Sequence, residues 1–174
     1  SGLVLIGTVG RIQPVKDQAT LLEAFARLLA QQPALRQKLR LLVVGDGPLL
    51  EELKALAARL QIAELTCFTG ARDDVAQVLR ALDVYVLPSL NEGISNTILE
   101  ALASGLPVSA TGVGGNPELV DDGACGRLFT PRDVNKLSNN VMARQIFLTL
   151  ATTRHPPPAT VALATDVVQK WLQE

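Results

Sequence analysis

Short apolar runs alternate with amphipathic stretches along most of the chain. The first run, residues 3–9, is almost continuously apolar, which is typical of a strand buried on both faces of a parallel sheet. Between residues 17 and 31 the apolar residues recur every three or four positions, which predicts an amphipathic helix. Because such units repeat with short turns between them, we predict an α/β fold built from right-handed βαβ crossovers.

The same patterns place the remaining elements and divide the chain. Strands are predicted at residues 3–9, 40–44, 65–69, 84–87, 107–110 and 126–130, and helices at 17–31, 49–60, 73–82, from 95 or 96 to about 105, and at 117–120. This is a Rossmann-like doubly wound parallel sheet of about six strands with helices on both faces. Composition shifts after Pro131, so we predict an α/β domain over 1–130 and a helical tail over 131–174, with a terminal helix at 159–172 whose docking is open.

The fourth predicted helix follows a glycine-bearing loop and is the candidate centre of the molecule. Ser95 or Asn96 can cap its start, and Gly105 followed by Pro107 ends it. Free backbone N–H groups at a helix start attract anions, and Gly93, which has no side chain, lets a ligand approach the backbone closely. The stretch therefore predicts an anion site.

Composition limits the kinds of ligand and the cellular compartment that we expect for this protein. The 174 residues have a formal net charge of −1, so no global positive field favours nucleic acid. No apolar run approaches the ~18–20 residues that span a bilayer, and the opening stretch reads as a strand and not as a signal peptide. Two cysteines without metal-ligand spacing predict free thiols in a reducing cytoplasm.

The loops at the carboxyl ends of the predicted strands indicate a phosphate-bearing ligand. Five of them contain glycine, at residues 10–16, 45–48, 70–72, 89–95 and 111–116. A helix end supplies only about half a unit charge, which is too little for a diphosphate. Arg11 and Lys16, in the first loop, are the candidate cations for the remaining charge.

Five motifs in order resemble a known family. They are GxxGRI with KD close behind, VVGDGP, FTGxRDDV, NEGISNTILEALASGLPV and GVGGNPELV. Over about residues 4–130 they resemble the C-terminal, donor-binding domain of retaining GT-B glycosyltransferases of group 1 with the E-x7-E motif. That branch includes sucrose synthases and bacterial cell-surface sugar transferases. The resemblance implies one half of a GT-B fold, with the acceptor site on an N-terminal domain.

The resemblance also implies residue roles. Glu92 would contact the hydroxyls of the donor sugar, Glu100 the ribose, and Arg11 with Lys16 would neutralise the diphosphate. Arg11, Lys16 and Glu92 are therefore the expected catalytic residues. The expected donor-binding residues are Gly10, Gly45, Gly47, Arg72 near the base, Gly93, Ile94, Ser95, Thr97 and Glu100. Neither a metal nor a cofactor is expected.

The function implied is transfer of a sugar from a nucleoside-diphosphate sugar, by default a UDP-sugar, to a glycan, lipid or other acceptor. The setting would be bacterial cell-surface or exopolysaccharide synthesis in the cytoplasm, with room for peripheral membrane association through the other domain. Without that domain we expect weak donor binding and little or no turnover.

Several alternatives stay open. Arg72 is as well placed to pair with Asp73 or Asp74 as to contact a base, and Arg11 and Lys16 could pair with Asp17. A non-catalytic nucleotide-sugar-binding module fits the same residues.

Two other enzyme classes fit less well. As a hydrolase pair, Glu92 and Glu100 would lie about 12 Å apart along a helix, beyond the roughly 5–9.5 Å that glycosidases use. Gly45 and Gly47 hint at a dinucleotide fingerprint, but Leu50 replaces its third glycine.

Overall fold

The computed structural model describes residues 3–120 and 125–142. Six parallel strands form its sheet in the order β3-β2-β1-β4-β5-β6. They are Val4–Val9 (β1), Leu39–Val44 (β2), Thr66–Gly70 (β3), Val84–Leu87 (β4), Val108–Thr111 (β5) and Gly126–Phe129 (β6). The predicted doubly wound, Rossmann-like sheet is confirmed.

Helices connect the strands and cover both faces of the sheet. They are Gln18–Gln31 (α1), Leu50–Arg59 (α2), Val75–Ala81 (α3), Asn96–Ala103 (α4), Asn116–Leu119 (α5) and Val134–Met142 (α6). Three short 3-10 turns at Pro14–Lys16, Pro33–Gln37 and Ala63–Leu65 complete the elements of the described residues. The predicted strands and helices agree with the observed ones to within two residues at their ends, because their hydrophobic periods are strong.

The hydrophobic core has one layer on each face of the sheet. Ile6 and Leu41 pack with α1, α2 and α6, whereas their chain neighbours Leu5 and Leu42 pack with α3 and α4. Successive strand side chains point to opposite faces, so a strand covered on both sides is apolar at most positions. This explains the nearly continuous apolar runs.

Helix α6 lies in the predicted helical tail, and the sequence does not predict its bounds. Its apolar residues Val134, Leu137 and Val141 recur at helical spacing among polar neighbours, and Leu137 and Val141 are buried against α1 in the first core layer. This part of the predicted tail therefore packs on the sheet domain. The predicted terminal helix at 159–172 lies outside the described residues, and the predicted division at residue 130 stays a prediction.

None of the helices in residues 3–120 and 125–142 is both long enough and apolar enough to cross a membrane.

The strand order places the switch point of the sheet between β1 and β4. The chain passes from β1 outward to β2 and β3, then returns to the other side of β1 to build β4, β5 and β6. Connections on the two sides cover opposite faces, and a doubly wound sheet has a crevice at this point, outside the carboxyl ends of β1 and β4. In doubly wound sheets ligands bind in this crevice.

Candidate functional site

The loops after β1 and β4 meet at the switch point. The Leu90 N–H donates a hydrogen bond to the Val15 carbonyl at 2.8 Å, which joins the two backbones. Beside this bond, Lys16 Nζ lies 2.6 Å from Glu92 Oε1, and the two side chains are 24% and 11% exposed. Their low exposure shields the pair from solvent, so it is stronger than an ordinary surface ion pair.

The Glu92 carboxylate has a second donor on the same oxygen. Ser89 Oγ lies 2.6 Å from Glu92 Oε1, and Ser89 itself is fully buried, two residues after the end of β4. The Ser89 carbonyl in turn accepts a 2.6 Å hydrogen bond from the Thr111 hydroxyl at the end of β5. The predicted catalytic carboxylate is therefore tied to two strands of the sheet and is not a freely solvated loop residue.

Ser95 is the N-cap of α4. Its hydroxyl accepts from the Ile98 N–H at 3.2 Å and lies 3.1 Å from the Thr97 hydroxyl. This settles the choice between Ser95 and Asn96 in favour of Ser95. Ahead of the cap, Ile94 is 75% exposed, and no heavy atom lies within 4 Å of where a Gly93 Cβ would be. The helix start and the loop before it present open backbone.

Two glycines of the loop after β5 support the loop that contains Glu92. Gly114 has a positive φ of +53°, and a Cβ on it would lie 1.6 Å from the Glu92 carbonyl oxygen. The Gly115 N–H donates to the Gly93 carbonyl at 3.0 Å. Gly114 and Gly115 therefore pack backbone on backbone against the candidate site, which explains why neither position has a side chain.

Gly45 and Gly47 have a similar packing role beneath the loop after β1. A Cβ on Gly45 would lie 1.9 Å from the Gly10 carbonyl oxygen, and one on Gly47 would lie 2.1 Å from that of Ile12. The Ile12 N–H donates to the Asp46 carbonyl at 2.9 Å. These glycines follow β2, away from the switch point, so packing accounts for them without a dinucleotide site. The predicted contact of Gly10, Gly45 and Gly47 with a donor stays a prediction.

Tyr85 lies beneath the crevice and is fully buried. Its hydroxyl donates to the Val9 carbonyl at 3.2 Å and so ties β4 to the end of β1. Burial raises the pKa of this phenol far above its ordinary value. The carboxylates of Glu92 and Glu100 raise the pKa further, so the Tyr85 hydroxyl keeps the proton that it donates to the Val9 carbonyl.

The cations that the sequence singles out have different surroundings. Arg11 is exposed and forms no ion pair with any residue in the part of the chain that the structure describes. Lys16 pairs with Glu92 and not with Asp17, which instead accepts the Thr20 hydroxyl at 2.7 Å.

Arg72 makes a two-point contact with Asp74. Its Nε and Nη2 lie 2.7 and 3.0 Å from the two carboxylate oxygens. The Arg72 guanidinium holds the pKa of the Asp74 carboxyl below its usual value. One of the two alternatives for Arg72, pairing with an adjacent aspartate, is thus observed, and base contact stays a prediction.

The side chains that could ligate a metal ion are not grouped in the described part of the chain. Within residues 3–120 and 125–142 there is no set of three His, Cys, Asp or Glu side chains that could hold one.

Sequence reasoning missed the buried polar groups behind Glu92. Ser89, Thr111 and Asn116 are all fully buried, and Asn116 Nδ2 donates to the Thr111 carbonyl at 3.0 Å. A detectable signal was present: Ser89 closely follows the apolar strand β4 and Thr111 is the last residue of β5, where buried hydroxyls need partners.

The fold and the crevice define an α/β domain of the class that binds a ligand at the switch point of a doubly wound sheet. Residues 4–143 match the family model described as glycosyl transferases group 1. The chain belongs to this family, as its motifs indicate.

Similar proteins agree with this assignment. The chain is 43% identical over 162 residues to the D-inositol 3-phosphate glycosyltransferase of Geodermatophilus obscurus, a match that covers 87% of this chain and 36% of the relative. It is similar to Anabaena HepE in complex with UDP-glucose, with 29% identity, a TM-score of 0.71 and coverage of 98% of this chain and 47% of HepE. WaaG, a glycosyltransferase involved in lipopolysaccharide biosynthesis, gives 26% identity, a TM-score of 0.74 and coverage of 99% and 44%.

The chain thus spans about a third of the curated relative and less than half of each solved structure. Its sheet corresponds to one of the two halves of a GT-B fold.

Proposed function

We propose that this chain is the donor-binding half of a retaining glycosyltransferase that uses a nucleoside-diphosphate sugar, by default a UDP-sugar. The main support is the Lys16–Glu92 pair at 2.6 Å, because it brings a cation and a carboxylate from two separate loops to the crevice at the switch point. Crystals of the similar protein HepE contain UDP or UDP-glucose.

The charges around the crevice suit departure of a diphosphate. Arg11 is exposed and has no ion-pair partner among the described residues, and the open backbone at Gly93 and the start of α4 offers N–H donors. Lys16, held beside Glu92, adds a second cation. Developing negative charge on the leaving nucleotide would be stabilised by these groups, which is electrostatic catalysis. Glu100 would hold the ribose, and Glu92 the sugar.

The acceptor half is proposed to lie on another domain, since the chain covers only part of its relatives. A glycan or lipid acceptor in cell-surface synthesis is our proposal, and peripheral membrane association would come through that domain at the cytoplasmic face. The name of the Geodermatophilus relative adds a phosphorylated polyol as a candidate acceptor. Alone, the chain is expected to bind donor weakly and to transfer no sugar. Sugar transfer by this chain alone would contradict that expectation.

Calorimetric titration with UDP, GDP, ADP and NAD tests the proposal. We expect heat of binding from one nucleoside diphosphate and none from NAD. Glu100→Gln should weaken that binding about tenfold, whereas Glu23→Gln, an exposed glutamate on α1, should not change it. Binding of NAD alone would favour a dinucleotide-binding domain, and no binding of any of the four would reject the proposal. Binding without turnover in a protein that contains both domains would favour a non-catalytic module.

A further inference from the structure

We infer that Ser89 is a positioning residue for Glu92: together with Lys16 it occupies one carboxylate oxygen, Oε1, and so leaves Oε2 to accept a hydrogen bond from a hydroxyl of the donor sugar. This inference rests on the proposed function, because it needs a sugar in the crevice. It concerns a residue to which neither the motifs nor the resemblance assigned a role.

The two oxygens of the Glu92 carboxylate have unequal surroundings. Lys16 Nζ and Ser89 Oγ both donate to Oε1 at 2.6 Å. No donor in residues 3–120 or 125–142 forms a hydrogen bond with Oε2. Short bonds to an ionised acceptor are the strong class of hydrogen bond, so two of them fix the plane of the carboxylate. The second oxygen then has a defined direction and unused acceptor capacity.

Ser89 can fix this orientation because it cannot move. It is fully buried, and its carbonyl accepts the Thr111 hydroxyl at 2.6 Å. Thr111 is also fully buried, and its carbonyl accepts from Asn116 Nδ2 at 3.0 Å. Lys16, in contrast, reaches Oε1 through a flexible four-carbon stem. The rigid part of the anchor is therefore the serine, and the lysine mainly supplies charge.

The test compares UDP-glucose with UDP, which lacks the sugar and has additional negative charge on its terminal phosphate. Calorimetric titration of this chain with UDP and with UDP-glucose gives the ratio of the two affinities, and the variants are compared with the wild type by that ratio. Ser89→Ala should weaken binding of UDP-glucose about tenfold and change the UDP affinity less than twofold, because UDP has no sugar for Oε2 to hold. A purely structural role of Ser89 would weaken both ligands alike.

Ser109→Ala is the matched control. Ser109 is also a fully buried serine, on β5, and its hydroxyl accepts from Asn140 Nδ2 at 3.4 Å, away from Glu92. Its replacement should leave the ratio of the UDP-glucose and UDP affinities unchanged.

A ligand-free measurement tests the anchor itself. Urea unfolding of Ser89→Ala, Glu92→Ala and the double variant forms a double-mutant cycle. We expect the effect of the double variant on the unfolding equilibrium constant to differ about tenfold from the product of the two single effects.

The outcomes separate this inference from the proposed function. If the wild type binds no nucleotide, the proposed function fails, and the positioning role for a sugar fails with it, whether or not the cycle shows coupling. If UDP binds and Ser89→Ala weakens both ligands equally, the inference is wrong while nucleotide binding stands. Absence of coupling in the cycle would also overturn it.

Discussion

Replacing Gly114 with alanine tests whether the loop after β5 sets the position of Glu92. Gly114 has φ of +53°, and an alanine Cβ would lie 1.6 Å from the Glu92 carbonyl oxygen. Ordinary contact begins near 3.4 Å, so one of the two loops must move by about 1.8 Å. Because the obstacle is backbone, no side-chain rotation relieves it.

The cost follows from three contributions. An alanine in the left-handed region costs about 1–2 kcal/mol. Displacing the loop breaks the 3.0 Å bond from the Gly115 N–H to the Gly93 carbonyl, which is worth about 1 kcal/mol. Residual strain from the clash adds about 1 kcal/mol. We expect a loss of about 3–4 kcal/mol in the free energy of unfolding, or about 6–15 °C in Tm for a chain of this size.

Gly105→Ala is the control for backbone strain alone. Gly105 follows α4 with φ of +76°, but no heavy atom lies within 4 Å of the position that an alanine Cβ would take, so alanine there should cost only about 1–2 kcal/mol. Urea unfolding and calorimetry compare the stability of the two variants. Titration with UDP-glucose compares their binding, and we expect the affinity to fall at least tenfold in Gly114→Ala only. Equal destabilisation of the two variants would show that the contact with the Glu92 loop has no energetic weight.

Three further predictions use other contacts. Lys16→Met should lower the free energy of unfolding, measured in urea, by about 2 kcal/mol, which lies between the values for exposed and buried ion pairs. Breaking the exposed Lys–Glu pair of α2 should lower it by less than about 1 kcal/mol. Equal losses would refute the partly buried character of the Lys16–Glu92 pair. Tyr85, the single tyrosine, should stay protonated in the folded protein well above pH 10 in an ultraviolet titration, because burial raises its pKa. Its contribution to stability is then complete below the unfolded pKa of about 10 and falls by about 1.4 kcal/mol per pH unit above it; tyrosinate in the folded protein at pH 10 would contradict this. Arg72→Ala should lower UDP affinity about tenfold if the predicted base contact exists, and unchanged affinity would leave Arg72 only as the partner of Asp74.

The positions of the elements could be predicted because local sequence determines them. A strand covered on both faces needs a nearly continuous apolar run, as in β1, and a helix needs apolar residues every three or four positions, as in α1. The bounds of helix α6 could not be predicted because its four apolar residues lie among asparagine, serine and lysine, so only its packing on α1 distinguishes it from a polar tail.

The sequence by itself determined the alternation of strands and helices, the loops that bear glycine and charge, and the family resemblance. The tertiary structure decided which of those loops meet. Lys16 and Glu92 are 76 residues apart, and the same hydrophobic pattern would suit several strand orders. Only the order that places β4 beside β1 brings their loops to one crevice. The anchor on Glu92 likewise depends on β5 lying next to β4, since a hydrogen bond between Thr111 and Ser89 requires adjacent strands.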